Sequence, residues 1–335
     1  MIDLIELQNW SIDPIYTDFI MNESDNGTIY HLPEFLSYHA ESFFNQKQKI
    51  HLKFYKKGIL LGAIMGVVYT DNDKCYFTSP IGASYGGFVV RKCIQFIDCE
   101  HIIDSFLEYL KHKLINEVKL TQSIPLHSEQ LKSTYLDFIL MSKGFKNSKS
   151  DLLLAHKISL KEELISRFEK KTITELKQPL SKNNLQLEIL NGTDIETFQL
   201  LLDSQNRLNS KPTHSFDDLN KIEHLLPNTI NTLKIFNKKD LVAAIIVFHI
   251  NKKVLNTFYI MDNYKSRDLK ANHFSYYNVI KWAKEKGYDY LDFGPSSFGY
   301  TPNYPLIKFK EKFDTLPFIR NTITKNIDLQ HEQLD

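Results

Sequence analysis

Two stretches of the chain repeat the same order of short apolar runs and polar turns. In the first, Leu52-Lys53-Phe54-Tyr55 leads through the turn Lys56-Lys57-Gly58 into the apolar run Leu60-Leu61-Gly62-Ala63-Ile64-Met65. In the second, about 181 residues on, Leu233-Lys234-Ile235-Phe236 leads through Asn237-Lys238-Lys239-Asp240 into Leu241-Val242-Ala243-Ala244-Ile245-Ile246. The match passes through the turn without a gap, and Leu60, Ala63 and Ile64 are identical to their partners. Each stretch predicts a β-hairpin. A third strand follows each time, Lys74 to Ser79 after Asp71-Asn72-Asp73, and Val254 to Met261 after Asn251-Lys252-Lys253.

The period then changes from strand-like to helical. Ile102, Ile103, Phe106, Leu107 and Leu110 recur at helical spacing before a β-rich segment, Val118 to Ile124. In the second copy, Tyr276, Tyr277, Ile280 and Ala283 mark a helix that stops at Gly287, before the strand Tyr288 to Phe293. Between the copies, Leu160 to Pro179 is charged and carries the apolar stripe Leu164, Ile165, Phe168, Ile173 and Leu176, which predicts a connecting helix. The strand Leu185 to Leu190 opens the second copy. The expected division is a first domain over 1–160, a connecting helix over 161–184 and a second domain over 185–335. The fold class is α/β, each domain a mixed, mainly antiparallel sheet flanked by helices. The alternative is a pair of unrelated hairpins of similar composition.

Composition narrows the function classes. Hydrophobic residues are 42% of the 335 and charged residues 24%, enough to build packed cores. The 41 Lys and Arg nearly balance the 40 Asp and Glu, so no bulk field favours DNA or an anionic membrane, although a local basic patch stays open. Cys75, Cys93 and Cys99 have no zinc-type spacing and are expected to be reduced thiols. The twelve histidines show no ligand spacing, so no metal is expected, and His249 and His273 are expected to be packing residues. The N-terminus lacks a signal-peptide pattern, and the longest apolar stretch, Ile59 to Tyr69, is too short to span a bilayer. A soluble, cytoplasmic protein is expected.

Tyr290-Leu291-Asp292-Phe293-Gly294, followed by Leu306-Ile307-Lys308-Phe309-Lys310-Glu311-Lys312-Phe313, resembles the closing signature of the FemABX-like branch of the GNAT superfamily. Ser79-Pro80 with Ser84-Tyr85-Gly86-Gly87, the charged connector Arg167 to Lys171, and Asn206-Arg207 with its following helix are similar to further parts of that family. The resemblance implies two tandem GNAT-like (acyl-CoA N-acyltransferase) domains. It also implies transfer of an acyl group from acyl-CoA, or of an amino acid from aminoacyl-tRNA, to an amine of a cell-envelope or polysaccharide precursor. The acceptor would be a small molecule such as a nucleotide-sugar or peptide precursor, held in a cleft between the copies, and no cofactor is expected to stay bound. Two departures stand out. No long paired-helix arm is present, and the loop Lys265-Ser266-Arg267-Asp268-Leu269-Lys270-Ala271-Asn272 has no glycine with which to cradle a pyrophosphate.

Acyl transfer to an amine needs a neutral nucleophile, donors for the developing oxyanion and a proton route, but no Ser-His-Asp triad, and none is evident. The resemblance puts the family's functional Phe-Lys at Phe309-Lys310, where an ammonium would stabilise negative charge; the alternative is a solvated lysine like Lys308 and Lys312. Tyr259 falls where the resemblance implies that splayed strands hold the scissile bond, or else is a core aromatic beside Phe258. Arg207 offers a planar fork to a phosphate or to a surface ion pair. Arg267 and Lys270 remain as charges for a donor phosphate.

Asp292 lies at a strand end, where ligands bind in α/β sheets, or it caps the turn at Gly294-Pro295. A kinase reading of the same letters fails because the catalytic-loop motif and the phosphate loop are missing. Tyr85 and Gly86 belong to a loop that lines an acceptor or simply closes a strand. Pro295 to Pro305, with Ser296, Ser297, Phe298, Tyr300 and Tyr304, is either a mobile aromatic cover over the site or an ordered surface loop. The rivals to an enzyme are a non-catalytic tandem module that binds a nucleotide-sugar or peptide, and an RNA-associating protein.

Overall fold

The structure, a computed structural model, describes residues 2–7, 9–159, 161–182 and 184–329. The chain forms two compact units. The first takes in the residues up to Asp151 and those from Ile319 onward; the second runs from Leu152 to Phe318.

The first unit opens with strand β1 (Asp3–Leu7) and two short helices, α1 (Pro14–Asp18) and α2 (Pro33–Leu36). The hairpin β2 (Lys47–Lys56) and β3 (Ile59–Asp71) follows, then β4 (Lys74–Ser79), β5 (Gly87–Val90), helix α3 (Phe96–His112), β6 (Glu117–Thr121) and helix α4 (Ser133–Ser142). Strand β7 (Lys146–Lys157) carries the chain past Asp151 into the second unit. There follow helix α5 (Lys170–Lys182), β8 (Leu185–Asn191), helices α6 (Ile195–Asn206) and α7 (Phe216–Leu225), the hairpin β9 (Ile230–Asn237) and β10 (Asp240–His249), β11 (Val254–Asp262), helix α8 (Ala271–Glu285) and β12 (Tyr290–Pro295). A two-residue pair, β13 (Ser297–Phe298) and β14 (Thr301–Pro302), precedes helix α9 (Tyr304–Glu311) and the last strand, β15 (Thr315–Asn326).

The two units share a plan. In each, a hairpin is extended by an antiparallel third strand (β2-β3-β4; β9-β10-β11), a helix crosses over, and a strand returns parallel to the third (β6 on β4; β12 on β11). The agreement extends to an irregularity. In the first hairpin Phe54 faces Gly62 and Tyr55 faces Leu60, which leaves Leu61 as a β-bulge; in the second, Ile235 faces Ala243 and Phe236 faces Leu241, which leaves Val242. The two bulges stand 181 positions apart, the offset of the sequence repeat. Because one extra residue re-aims every later side chain, a shared bulge is stronger evidence for duplication than shared apolar runs. Lys57 and Lys238 open the two turns with φ of 51° and 58°.

The crossover helices bury one face each. Ile102, Ile103, Phe106 and Leu110 of α3 join Leu52, Phe54, Phe77, Phe88, Val118 and Leu120 in the core of the first unit. Tyr276, Val279, Ile280 and Ala283 of α8 join Leu233, Ile245, Leu255 and Leu291 in the second. Each fully buried Leu, Ile or Phe contributes about 2 kcal/mol, so these faces, rather than helix propensity, hold the helices in place.

The expected domain limits of 1–160 and 185–335 differ from the observed units at both ends. β15 pairs antiparallel with β6 from Thr322↔Thr121 to Asn326↔Glu117, which brings the C-terminal strand into the first unit. Arg320 reinforces this, with Nη2 2.9 Å from the Asp151 carboxylate and Nη1 3.5 Å from the Ser84 carbonyl. The expected connecting helix over 161–184 starts only at Lys170 as α5, and residue 160 lies outside the described residues. The strand expected over Val118 to Ile124 ends at Thr121, and that expected from Tyr288 begins at Tyr290. Among the described residues, no helix is long and apolar enough to cross a membrane.

Candidate functional site

Strands β11 and β12 pair over three positions only, Val254↔Tyr290, Leu255↔Leu291 and Asn256↔Asp292, and then part. Asp292, 2% exposed, sits at the point of parting. Its carboxylate accepts from Asn256 Nδ2 at 2.9 Å and from the Gly294 N–H at 2.7 Å. Asp292 thus caps the turn at Gly294, as the structural reading expects, and it stands where the two strands part.

Helix α9 starts on Tyr304, with Pro305 in its first turn and Asn303 as its cap, Oδ1 accepting from the Leu306 N–H at 3.2 Å. This sets Lys308 outward and Lys310 inward, at 2% exposure. The solvated-lysine reading of Lys310 is thus excluded. Its ammonium donates to the carbonyls of Gly294 and Pro295 at 2.9 Å each and lies 3.0 Å from Ser296 Oγ. Burial pushes Lys310 down to about 7, and the charge of Asp292 opposes that fall. An amine so placed exchanges its proton near neutral pH, where an ordinary lysine does not.

Beyond the end of β11, a short 3-10 turn (Tyr264–Leu269) leads to α8, whose N-cap Lys270 takes a left-handed φ of 56°. No side chain caps α8, and its first-turn residues line a cavity of about 220 Å³ together with Val242, Asp262, Arg267, Lys270 and Phe309. Val242 is the bulge residue of the hairpin, and its carbonyl accepts from the Asn263 N–H at 2.9 Å.

The cations around this cavity are partnered. Arg207 Nη2 is 2.6 Å from Asp262 Oδ1, and Asp262 Oδ2 accepts from Asn272 Nδ2 at 3.0 Å and lies 3.6 Å from Arg267 Nε. The Tyr264 ring has the guanidinium of Arg267 at 4.3 Å and that of Arg207 at 5.4 Å from its centre. Lys270 is 3.4 Å from Glu175, which also lies 3.1 Å from His273; burial holds the His273 imidazole below its ordinary value. Three permanent cations, Arg207, Arg267 and Lys270, thus stand against two carboxylates, Asp262 and Glu175, a local balance of +1.

Of the remaining candidates, one shares this cavity and the others lie elsewhere. Phe309 both lines the cavity and packs against Tyr276 and Phe313, with centroids at 5.2 and 5.6 Å. Tyr259 is 5% exposed; its hydroxyl accepts from the His214 N–H at 3.0 Å and lies 2.9 Å from His214 Nδ1, and burial raises it to about 12. It stands beside a second bulge, at Phe258, where β10 and β11 shift register. Tyr85 and Gly86 belong to the first unit. The Tyr85 ring is buried edge-on against His127 at 4.5 Å, and Gly86 donates its N–H to Thr121 O at 2.9 Å and is 3.1 Å, through its carbonyl, from His31 Nε2. A Cβ on Gly86 would lie 2.6 Å from Pro80 N, so close packing there already demands a glycine. Phe298 is exposed in β13 and Tyr300 in the turn between β13 and β14, and Tyr304 is exposed at the start of α9.

Sequence reasoning missed Ser296, Asp262, Asn272 and Asn256. Only Ser296 had a local signal, its place directly after the strand end Gly294-Pro295.

No family model and no curated protein matches the chain in sequence. Solved structures do match in fold. The crystal structure of FemX is 15% identical with a TM-score of 0.69, covering 97% of this chain and 98% of that one. L-PGS from Bacillus licheniformis is 12% identical with a TM-score of 0.54, covering 93% and 91%. A tandem GNAT protein from the clavulanic acid biosynthesis pathway is 7% identical with a TM-score of 0.51, covering 98% and 99%. The chain therefore has a FemABX-like fold of two tandem GNAT-like units.

Proposed function

We propose that the chain is an aminoacyltransferase, with the reacting carbonyl in the opening between β11 and β12 and the donor's phosphate at the N-terminus of α8. The observation that carries this reading is the parting of the two strands directly beside the buried Lys310, with the uncapped helix following the same strand β11. The family resemblance in the 290–313 segment and the FemX-like fold support the same reaction class.

The local charge favours aminoacyl-tRNA over acyl-CoA as donor. A pyrophosphate brings at least two negative charges close to the Asp262 carboxylate, whereas one phosphodiester near the tRNA 3′ end matches the balance of +1. The glycine-free loop works against the close backbone approach that a pyrophosphate needs.

In the reaction, the substrate carbonyl oxygen replaces Ser296 Oγ as the third acceptor of the Lys310 ammonium, while the Gly294 and Pro295 carbonyls keep that group aimed. The ammonium then stabilises the oxyanion as the acceptor amine attacks, gives its proton to the departing ribose oxygen as the ester C–O bond breaks, and in its neutral form takes the proton that the new amide nitrogen loses. Its depressed pKa keeps that proton transferable at neutral pH. The acceptor is an amine on a cell-envelope precursor, a nucleotide-sugar or a peptide.

Incubation with charged tRNA, and separately with labelled acyl-CoA, against a panel of amine-bearing envelope precursors tests the reading by mass detection of product. Product from charged tRNA supports it. Product from acyl-CoA alone refutes the donor, and binding of a precursor with no turnover from either donor favours the non-catalytic module.

A further inference from the structure

The first unit contains a second built cavity, of about 270 Å³, between the end of β6, helix α4 and the C-terminal strand β15. Its polar lining is unusual because two deeply buried side chains each carry a polar atom with no hydrogen-bond partner among the described residues. Gln122 is 7% and Ser123 3% exposed. The Phe88 N–H donates to Gln122 Oε1 at 2.7 Å, which fixes the orientation of the amide, and its NH₂ is left buried without an acceptor. The Ser123 hydroxyl is likewise unpartnered. Leaving such groups buried and unsatisfied is costly, and a structure retains them where something else completes them.

A third polar group is Asp137 on α4, half-buried and with no ion pair or hydrogen bond among the described residues. Burial raises its carboxyl to about 6, consistent with a site that lacks a counter-charge. Among the described residues no Lys, Arg or His lines the cavity, and the rest of its wall is mainly apolar, including Ile124, Met141 and Ile319. The lining therefore disfavours phosphate, sulfate or carboxylate ligands.

We propose that this cavity binds a compact cationic amine that also carries a carbonyl, such as the amide or ester form of an apolar amino acid. Its ammonium pairs with Asp137, its carbonyl oxygen accepts from the Gln122 amide and the Ser123 hydroxyl, and its side chain lies against the isoleucines and Met141. The volume suits a molecule of roughly ten non-hydrogen atoms. The site belongs to the first unit alone and stands independently of the transfer reaction proposed for the second.

Calorimetric titration of the full chain with L-leucinamide tests it, with N-acetyl-L-leucine as the anionic counterpart. Leucinamide is expected to bind one per chain at about 1 mM, the strength expected of so small a ligand. Asp137→Asn is expected to weaken it at least about tenfold with an unchanged melting temperature, because one desolvated ion pair is lost. Met141→Arg, at a position 42% exposed that can take a charged side chain into solvent, is expected to exclude leucinamide and admit N-acetyl-leucine. Leucinamide binding that is absent in the wild type, unchanged in Asp137→Asn, or matched by N-acetyl-leucine in the wild type overturns the proposal.

Discussion

Replacing Lys310 by methionine keeps most of the side-chain volume and removes a proton site whose affinity differs sharply between folded and unfolded chains. Burial lowers this lysine from 10.5 to about 7, a fall of about 3.5. At about 1.36 kcal/mol per unit the full linkage is roughly 5 kcal/mol, an upper bound. The folded-state value is the lower one, so between pH 7 and 10.5 the unfolded chain binds more protons and stability rises with pH. Below about pH 7 both states are protonated and the destabilisation is present in full; above 10.5 it has vanished. Between pH 7 and pH 9 the wild type should therefore gain about 2 kcal/mol relative to Lys310→Met. Urea unfolding of both proteins at pH 7, 8 and 9 measures this, read by Trp282 in a Trp10→Phe background so that the signal comes from the second unit. Taking the difference between the two proteins cancels the other titrating groups. The variant also leaves the Gly294 and Pro295 carbonyls and Ser296 Oγ without their donor, a loss that does not depend on pH. A stability difference that stays flat within about 0.5 kcal/mol over this range would refute a buried, readily deprotonated Lys310.

Other substitutions probe separate parts of the account. Lys310→Ala should lower transfer from charged tRNA at least about 100-fold while leaving tRNA retention unchanged, as a filter-binding assay beside turnover would show. Ser296→Ala should keep transfer activity and Ser296→Val should lose it, because the hydroxyl yields its place to substrate and a branched apolar group does not; steady-state kinetics separates them. Asp262→Asn should raise affinity for coenzyme A roughly tenfold, about 1.4 kcal/mol, by freeing Arg207 and Arg267 and removing a repulsive charge, an effect measurable by calorimetry. Asp25→Ala should destabilise the first unit by about 3–5 kcal/mol in urea unfolding followed by Trp10. Its carboxylate holds the Gln130 N–H at 2.6 Å, the Ser133 N–H at 3.2 Å and the Ser128 hydroxyl.

The duplicated scaffold was legible because its signal is local and repeated. The hairpins, their two-residue turns and the third strands fall where the 181-residue offset places them, down to the bulges at Leu61 and Val242. The domain limits were not legible, since the return of β15 to β6 joins Thr322 to Thr121 across some two hundred residues without any change in composition. In the site, Phe309 and Lys310 were identified by resemblance, but the burial of Lys310 was hidden by its charged neighbours Lys308 and Lys312. What draws it inward is a pair of backbone carbonyls at Gly294 and Pro295, which carry no letter of their own. Arg207 was identified as a charge, but its partner Asp262 is 55 positions away and invisible to spacing arguments. At Tyr85 and Gly86 the letters left ligand access and simple strand closure both open, and the approach of Ser79 and Pro80, which alone requires a glycine at Gly86, became visible only in three dimensions.

The central claim is that Lys310 assists aminoacyl transfer in the second unit. Its most direct test is a single-turnover reaction of tRNA charged with a radiolabelled amino acid, run with wild type and Lys310→Met over the precursor panel. Label is expected to move from tRNA to an amine acceptor with wild type, and little or none of it with the variant. Equal transfer by the two proteins, or label that stays on tRNA with every acceptor while acyl-CoA reacts, would contradict it.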